Sequence, residues 1–297
     1  MNSPEIPPVP DNGIDAEAEI GRAGSVLTSD GVRLHYLEAG EGPDMLLVPG
    51  WSQTAATWRH QIAEFSQTHH VVAVDHRGHG LSGRPGRGYR IARLTSDLRD
   101  LILALNLTNI TWVGHSMGCT LAWSYWELFG GERVGPLVLA DQPASPVFHA
   151  HWPEGLAEHW GAIHTVPEVA ALVEGLNGPH GDEVTTEIIT GMITAEVGEA
   201  DRKWLLEQNR LMLREHAATL FLDFVLQDWR DVLPLITVPT LVLGGASSMF
   251  PPPASKAIAE AIPNATVRII GDRGSHFAFW ENPETFNREV REFLQHD

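Results

Sequence analysis

The 297-residue sequence predicts an α/β fold: a mostly parallel, doubly wound sheet of about eight strands, with a helical segment inserted between two parts of the sheet. Three observations carry this. Short all-apolar runs, typical of strands covered on both faces, alternate with stretches of helical spacing. That alternation stops at Gln142 and resumes only after about Trp229. Finally, a Gly-x-Ser-x-Gly pentapeptide, Gly114-His115-Ser116-Met117-Gly118, lies between a strand-like run and a helix-like run.

In chain order, residues 1–24 contain Pro7, Pro8, Pro10 and several acids, without the basic start and apolar stretch of a signal peptide. They read as a flexible arm. Residues 25–28 and 32–37 read as two strands joined by a Ser29-Asp30-Gly31 turn. A Gly40-Glu41-Gly42-Pro43 turn leads into a buried strand at 45–48, followed by a helix at 57–67 and a second buried strand at 71–74. The loop Asp75-His76-Arg77-Gly78-His79-Gly80 and a helix at 94–105 come next. The pentapeptide then joins a strand at 110–113 to a helix at 119–129, and a strand follows at 137–140. Between 142 and 229 only helix-like pieces occur, broken by Pro153, Pro167, Gly178-Pro179 and Gly198. Strands at 240–243 and 266–270 and helices at 253–262 and 283–294 complete the chain. The expected organisation is an arm (1–24), an α/β core (25–141 and 230–297), and a helical cap (142–229) over the carboxyl edge of the sheet, where ligands bind in such folds.

Composition narrows the function. A net charge of −18 argues against nucleic acid, whose binding depends on neutralising phosphates with Lys and Arg. No run of about 18 apolar residues suggests a membrane span. The single cysteine, Cys119, leaves no internal disulfide and fits a reducing compartment, so a cytoplasmic location is expected. Most of the ten tryptophans belong to the core, but Trp51, Trp152 and Trp160 fall where a substrate pocket would lie, with Ile163 beside them. The partner is a small apolar or aromatic substrate. No metal is expected, since His149-Ala150-His151 has no third ligand at useful spacing. The Gly-rich strings at 78–88 lack phosphate-binding spacing, and no cofactor is expected.

The pentapeptide carries the chemistry. Gly114 and Gly118 leave room for a turn that lifts the Ser116 hydroxyl above the sheet and aims the next helix at the site of developing negative charge. A serine nucleophile needs a base to take its proton and an acid to hold that base in one tautomer. His276, in Gly274-Ser275-His276-Phe277 after the last strand, opens at the same sheet edge as Ser116 and is the expected base. The acid of such folds usually follows the strand at 240–243, but there the sequence reads Gly245-Ala246-Ser247-Ser248, with Ser248 in the acid's place. Asp141, at the end of the neighbouring strand, is the substitute; Asp272 and Glu281 rank lower as exposed loop residues. The oxyanion donors are expected to be the backbone amides of Met117 and of Trp51, in Pro49-Gly50-Trp51-Ser52. The Trp51 ring is expected to wall the pocket.

Together these motifs resemble the α/β-hydrolase superfamily across nearly all of the chain after the arm. The resemblance implies that fold and, from the Gly-His-Ser-Met-Gly elbow, the esterases and cofactor-free haloperoxidases. An acid after the elbow's neighbouring strand is similar to the zearalenone-type lactonases and the cofactor-free 3-hydroxy-4-oxoquinoline 2,4-dioxygenases. The dioxygenases carry histidine where this chain has Met117 and tryptophan where it has Gln142. Epoxide hydrolases and dehalogenases use an aspartate nucleophile, where this chain has Ser116. The expected activity is therefore hydrolysis of an apolar ester or lactone through a Ser116-His276-Asp141 triad, with cofactor-free oxygenation of an aromatic hydroxyl substrate as the alternative.

Overall fold

The structure is a computed structural model that describes residues 20–295. Most of the expected arm, up to residue 19, lies outside them. The first strand, β1 (Arg22–Leu27), begins three residues inside the stretch expected as arm, because its partner β2 (Arg33–Ala39) is long enough to pair with Arg22 through Glu38. The turn between them closes through Gly31 N–H donating to Thr28 O.

The sheet continues with β3 (Asp44–Val48), β4 (His70–Val74), β5 (Ile110–His115), β6 (Val134–Ala140), β7 (Thr240–Gly245) and β8 (Ala265–Ile270). Its eight strands run in the order β1-β2-β4-β3-β5-β6-β7-β8. β1 and β2 are antiparallel to their neighbours, and every pairing from β4 onward is parallel. The expected short helix at 57–67 is a 3-10 turn (Ala55–Trp58) leading into α1 (Arg59–Phe65). The other core helices are α2 (Ile91–Ala104) and α3 (Met117–Phe129).

The central strands are apolar throughout because both faces are covered. Leu46, Val72, Trp112 and Leu139 pack on one face with α2 and α3; Leu47, Ala73, Val113 and Val138 pack on the other with Trp58, Phe65 and Phe279. This is the period-two division of a strand. Between β6 and β7 the chain forms five helices: α4 (Leu156–Trp160), α5 (Val166–Asn177), α6 (Gly181–Met192), α7 (Glu199–Arg210) and α8 (Arg214–Val225). The sequence breakers mark their ends. Pro167 lies in the first turn of α5 behind a Thr165/Glu168 capping box, Gly178 closes that helix, and Gly198 opens α7. After β7 come α9 (Pro252–Ala261), α10 (Ala278–Glu281) and α11 (Pro283–Gln295). Among the described residues, no helix is long and apolar enough to cross a membrane.

One ion network fixes the loop after β4. The Arg77 guanidinium is fully buried, with Nε 2.5 Å from Asp97 Oδ2 and Nη2 2.9 Å from Asp30 Oδ1. Removing it leaves the Asp97 carboxylate buried without its main counter-charge. Arg77→Met is therefore expected to lower stability by about 3–5 kcal/mol, read as a reduced urea midpoint.

Candidate active site

Ser116 stands at the end of β5 with φ 53° and ψ −121°, a backbone conformation that L-residues rarely adopt. Such strain costs on the order of 1–3 kcal/mol and persists only where the surroundings enforce it. Here two close approaches do so. A Cβ on Gly114 would lie 2.6 Å from Gly118 O, and one on Gly118 would lie 2.2 Å from Val48 O. Ser116 N–H also donates to Ala140 O at 2.9 Å, tying the turn to β6. Helix α3 starts at Met117, two residues earlier than expected, so the Met117 N–H has no intrahelical acceptor.

The strand order brings the expected acid, Asp141, to His276. Asp141 follows β6, which lies between β5 and β7, and its N–H donates to Leu243 O at 2.8 Å. Its carboxylate Oδ2 is 2.7 Å from His276 Nδ1. Two further donors hold that carboxylate: Gly245 N–H at 3.2 Å to Oδ1, and the Ser248 hydroxyl at 2.5 Å to Oδ2. Asp141 and His276 are both nearly buried, so the pair interacts with little screening by water. With Nδ1–H committed to Asp141, the His276 Nε2 is the ring nitrogen left with a lone pair.

The residue in the usual acid's place thus has a part in the site. Ser248 supplies no charge, but its hydroxyl anchors the carboxylate that does. The sequence offered no sign of this bond, because it joins loops 107 residues apart. Ser248→Ala is expected to reduce kcat only about tenfold, the worth of one charge-assisted hydrogen bond, since Gly245 N–H still holds Asp141; steady-state kinetics on a p-nitrophenyl ester measure it.

Ser116 and His276 are brought to one edge of the sheet, but the hydrogen bond of the Ser116 hydroxyl runs to Gln142 Oε1, at 3.4 Å. Gln142 in turn donates to Pro143 O at 3.2 Å. The loop expected to supply the second oxyanion donor lies directly against the serine: a Cβ on Gly50 would come within 3.0 Å of Ser116 Cβ. The Trp51 ring is nearly buried, edge-on to Phe221 at 5.2 Å, with Nε1–H donating to Ala217 O of α8 at 2.8 Å. It joins the loop to the helical insert.

Another elbow residue, His115, is wholly buried, and burial pushes its pKa well below the usual histidine value. Its Nε2 is 2.7 Å from His276 O and its ring lies 4.6 Å from the His276 ring. As a neutral imidazole it donates from Nε2–H, holding the backbone of His276.

One expectation is corrected. Glu281 is not an exposed loop residue. It is buried and accepts from the Ser275 hydroxyl and from Thr194, whose N–H is at 3.0 Å and Oγ1 at 2.5 Å. Its carboxylate is used in fastening the His276 loop to the insert. Trp152 and Trp160 both lie against the Arg230 guanidinium, which is 4.5 Å and 5.7 Å from their rings. Ile163 N–H donates to Pro146 O at 3.0 Å. The aromatic ring set against His276 from the β7 loop is Phe250, at 5.4 Å.

Residues 45–289 match the model of the alpha/beta hydrolase family. The chain is 28% identical to epoxide hydrolase 3 of Xenopus tropicalis over 294 residues, 93% of this chain and 79% of that protein. Among solved structures, it superposes on a bromoperoxidase from Bacillus anthracis with a TM-score of 0.83 at 24% identity, covering 92% of this chain and 100% of that one. Est816, an N-acyl homoserine lactone degrading enzyme, superposes with a TM-score of 0.74 at 25% identity, covering 91% of this chain and 100% of that one.

Proposed function

The chain belongs to the alpha/beta hydrolase family, and within it we propose a serine hydrolase that cleaves an apolar ester or lactone through an acyl-enzyme. The observation that carries this reading is the Asp141-His276 pair, 2.7 Å apart, at the sheet edge where Ser116 is held in its strained turn.

In this reading the Ser116 hydroxyl turns from Gln142 to His276 as substrate enters. The bond it leaves, at 3.4 Å, is a weak one. Catalytic hydrogen bonds of this kind are often formed only in the substrate complex. His276 Nε2 takes the proton as Oγ attacks the carbonyl, and Asp141 offsets the imidazolium charge. The Trp51 and Met117 amides receive the oxyanion. His276 returns the proton to the leaving oxygen, and water activated by the same nitrogen hydrolyses the acyl-enzyme. The insert 142–229 acts as a cap whose Phe221 packs on the Trp51 ring, next to the Gly50 backbone that lies against Ser116, which suits an apolar acyl group.

The likeness to epoxide hydrolase 3 supports the family and not that activity, because the nucleophile here is a serine. A screen of p-nitrophenyl esters and lactones tests the proposal, with intact-mass detection of phosphonate labelling on Ser116. Turnover with loss of labelling in Ser116→Ala supports it; absence of both overturns it.

One observation favours a second reading. The His276-Asp141 pair is complete while the serine hydroxyl faces Gln142, as in a base acting directly on an aromatic hydroxyl substrate for cofactor-free oxygenation. Turnover that stops under strict anaerobiosis would favour it, since hydrolysis needs no oxygen.

A further inference from the structure

We propose that the helical insert builds the oxyanion site, with Arg214 as a positioning residue that sets the loop carrying the Trp51 amide. The proposal rests on the hydrolase reading and deepens it by naming what fixes the geometry of the hole. Loop 50–54 is bonded to the insert through three of its side chains. Trp51 Nε1–H donates to Ala217 O at 2.8 Å, Ser52 Oγ to Asn209 O at 2.8 Å, and Thr54 Oγ1 to Gln208 Oε1 at 2.7 Å. Each joins residues more than 150 positions apart in the chain.

From the sheet side the same loop is held by two buried histidines. His76 Nε2–H donates to Pro49 O at 3.1 Å. His79 donates from Nδ1–H to Arg77 O at 2.9 Å, which leaves Nε2 to accept from Ser52 N–H at 3.1 Å. Burial pushes their pKa values down to about 4 and about 3, so both are neutral near pH 7. The sheet-side grip is therefore fixed, and the insert-side grip decides how the loop sits.

Ser52 is the point where the two meet. Its φ of 58° is left-handed, an arrangement that costs a non-glycine residue on the order of 1 kcal/mol or more. It is held there by its amide on His79, by its hydroxyl on Asn209 O, and by Arg214 Nη2, which donates to Ser52 Oγ at 2.9 Å. The same Nη2 lies 2.6 Å from both Asn209 O and Met212 O, and Nη1 donates to Thr185 Oγ1 at 2.9 Å. All of these acceptors are neutral oxygens. Burial lowers the Arg214 pKa to about 10, and Asp182 offsets part of that penalty, so the side chain stays charged near pH 7. A desolvated cation spent on carbonyls gains little from charge pairing. Its planar fork instead fixes the spacing between the α7–α8 turn and Ser52. Without it, Ser52 relaxes towards ordinary backbone angles and turns the Trp51–Ser52 peptide, which shifts the preceding Gly50–Trp51 peptide that carries the Trp51 N–H.

The consequence is a defect confined to the transition state. Loss of an oxyanion donor costs about 100- to 1000-fold in kcat, and a misplaced one costs less, about 10- to 100-fold. The test compares wild type with Arg214→Gln, Arg214→Lys and Ser52→Ala on p-nitrophenyl butyrate. Inhibition by an alkyl trifluoromethyl ketone, whose hemiketal mimics the oxyanion, is measured beside inhibition by the product butyrate. Arg214→Gln and Ser52→Ala should each lower kcat in that range with KM nearly unchanged, and weaken the ketone by a matching factor but not butyrate. The double variant should be no worse than either single one, because both cut one link. Arg214→Lys should recover part of the loss. Unchanged kcat, a change in KM alone, or wild-type inhibition by the ketone in Arg214→Gln would overturn the proposal. Should Arg214→Gln fail to fold, the one-atom deletion Ser52→Ala decides between the same outcomes. A wild type that neither turns over esters nor takes a phosphonate label would overturn the hydrolase reading and this proposal with it. Wild-type turnover beside an unaffected variant overturns this proposal alone.

Discussion

Replacing Asp141 by asparagine is expected to lower kcat by about four orders of magnitude while leaving the fold intact. The carboxylate is surrounded by donors: Gly245 N–H on Oδ1, and both the Ser248 hydroxyl and His276 Nδ1–H on Oδ2. An asparagine cannot satisfy them all. Its NH2 group must face either Gly245 N–H, which is donor against donor, or His276 Nδ1, which forces the imidazole into the tautomer that cannot take the serine proton. Neither arrangement offsets the imidazolium. Stopped assays with the best ester from the substrate screen measure the loss, and an Asp141→Asn enzyme with wild-type kcat would remove Asp141 from the triad. A sharper form uses the neighbour. Ser248 Oγ lies 2.5 Å from Asp141 Oδ2, so a carboxylate at 248 stands close to the imidazole. The double variant Asp141→Asn/Ser248→Asp should regain much of the activity lost in the single variant.

The second large effect is expected from Ser116→Ala, which in the proposed mechanism removes the nucleophile and the covalent intermediate with it. In a triad acting as a unit, this costs about six orders of magnitude in kcat. The remaining rate comes from binding and the oxyanion donors alone. Ser116→Ala should also abolish the phosphonate mass shift. The same variant separates the two functional readings. A base that acts directly on an aromatic hydroxyl substrate does not need Ser116, so oxygen-dependent turnover retained in Ser116→Ala would favour oxygenation over hydrolysis.

Much of this architecture is legible in the sequence. The apolar runs at 45–48, 71–74, 110–113 and 240–243 are strands because a chain covered on both faces has no reason to alternate, and all four lie within observed strands. Pro167, Gly178 and Gly198 punctuate the insert because each suits one end of a helix. Ser116 is recognisable from Gly114 and Gly118, which leave the space that its turn needs. What escaped was of a different kind. Glu281 looked exposed because it follows the His276 loop in sequence, yet Ser275 and Thr194 bury it. Trp152 and Trp160 share the Arg230 guanidinium, a contact that their spacing does not announce. No local pattern encodes those partners.

The sequence by itself determined the order of strands and helices, the strained serine and the histidine loop, because apolar period, turn chemistry and steric need are properties of a few neighbouring residues. The sequence also ranked Asp141 first as the partner of His276; only the tertiary structure decided that it reaches the imidazole, that Ser248 supports it, and that loop 50–54 hangs between His79 and Arg214. These contacts span 27 to 162 residues. They exist because β6 lies between β5 and β7 and because helices of the insert pack against the loop after β3, arrangements set by packing of the whole chain.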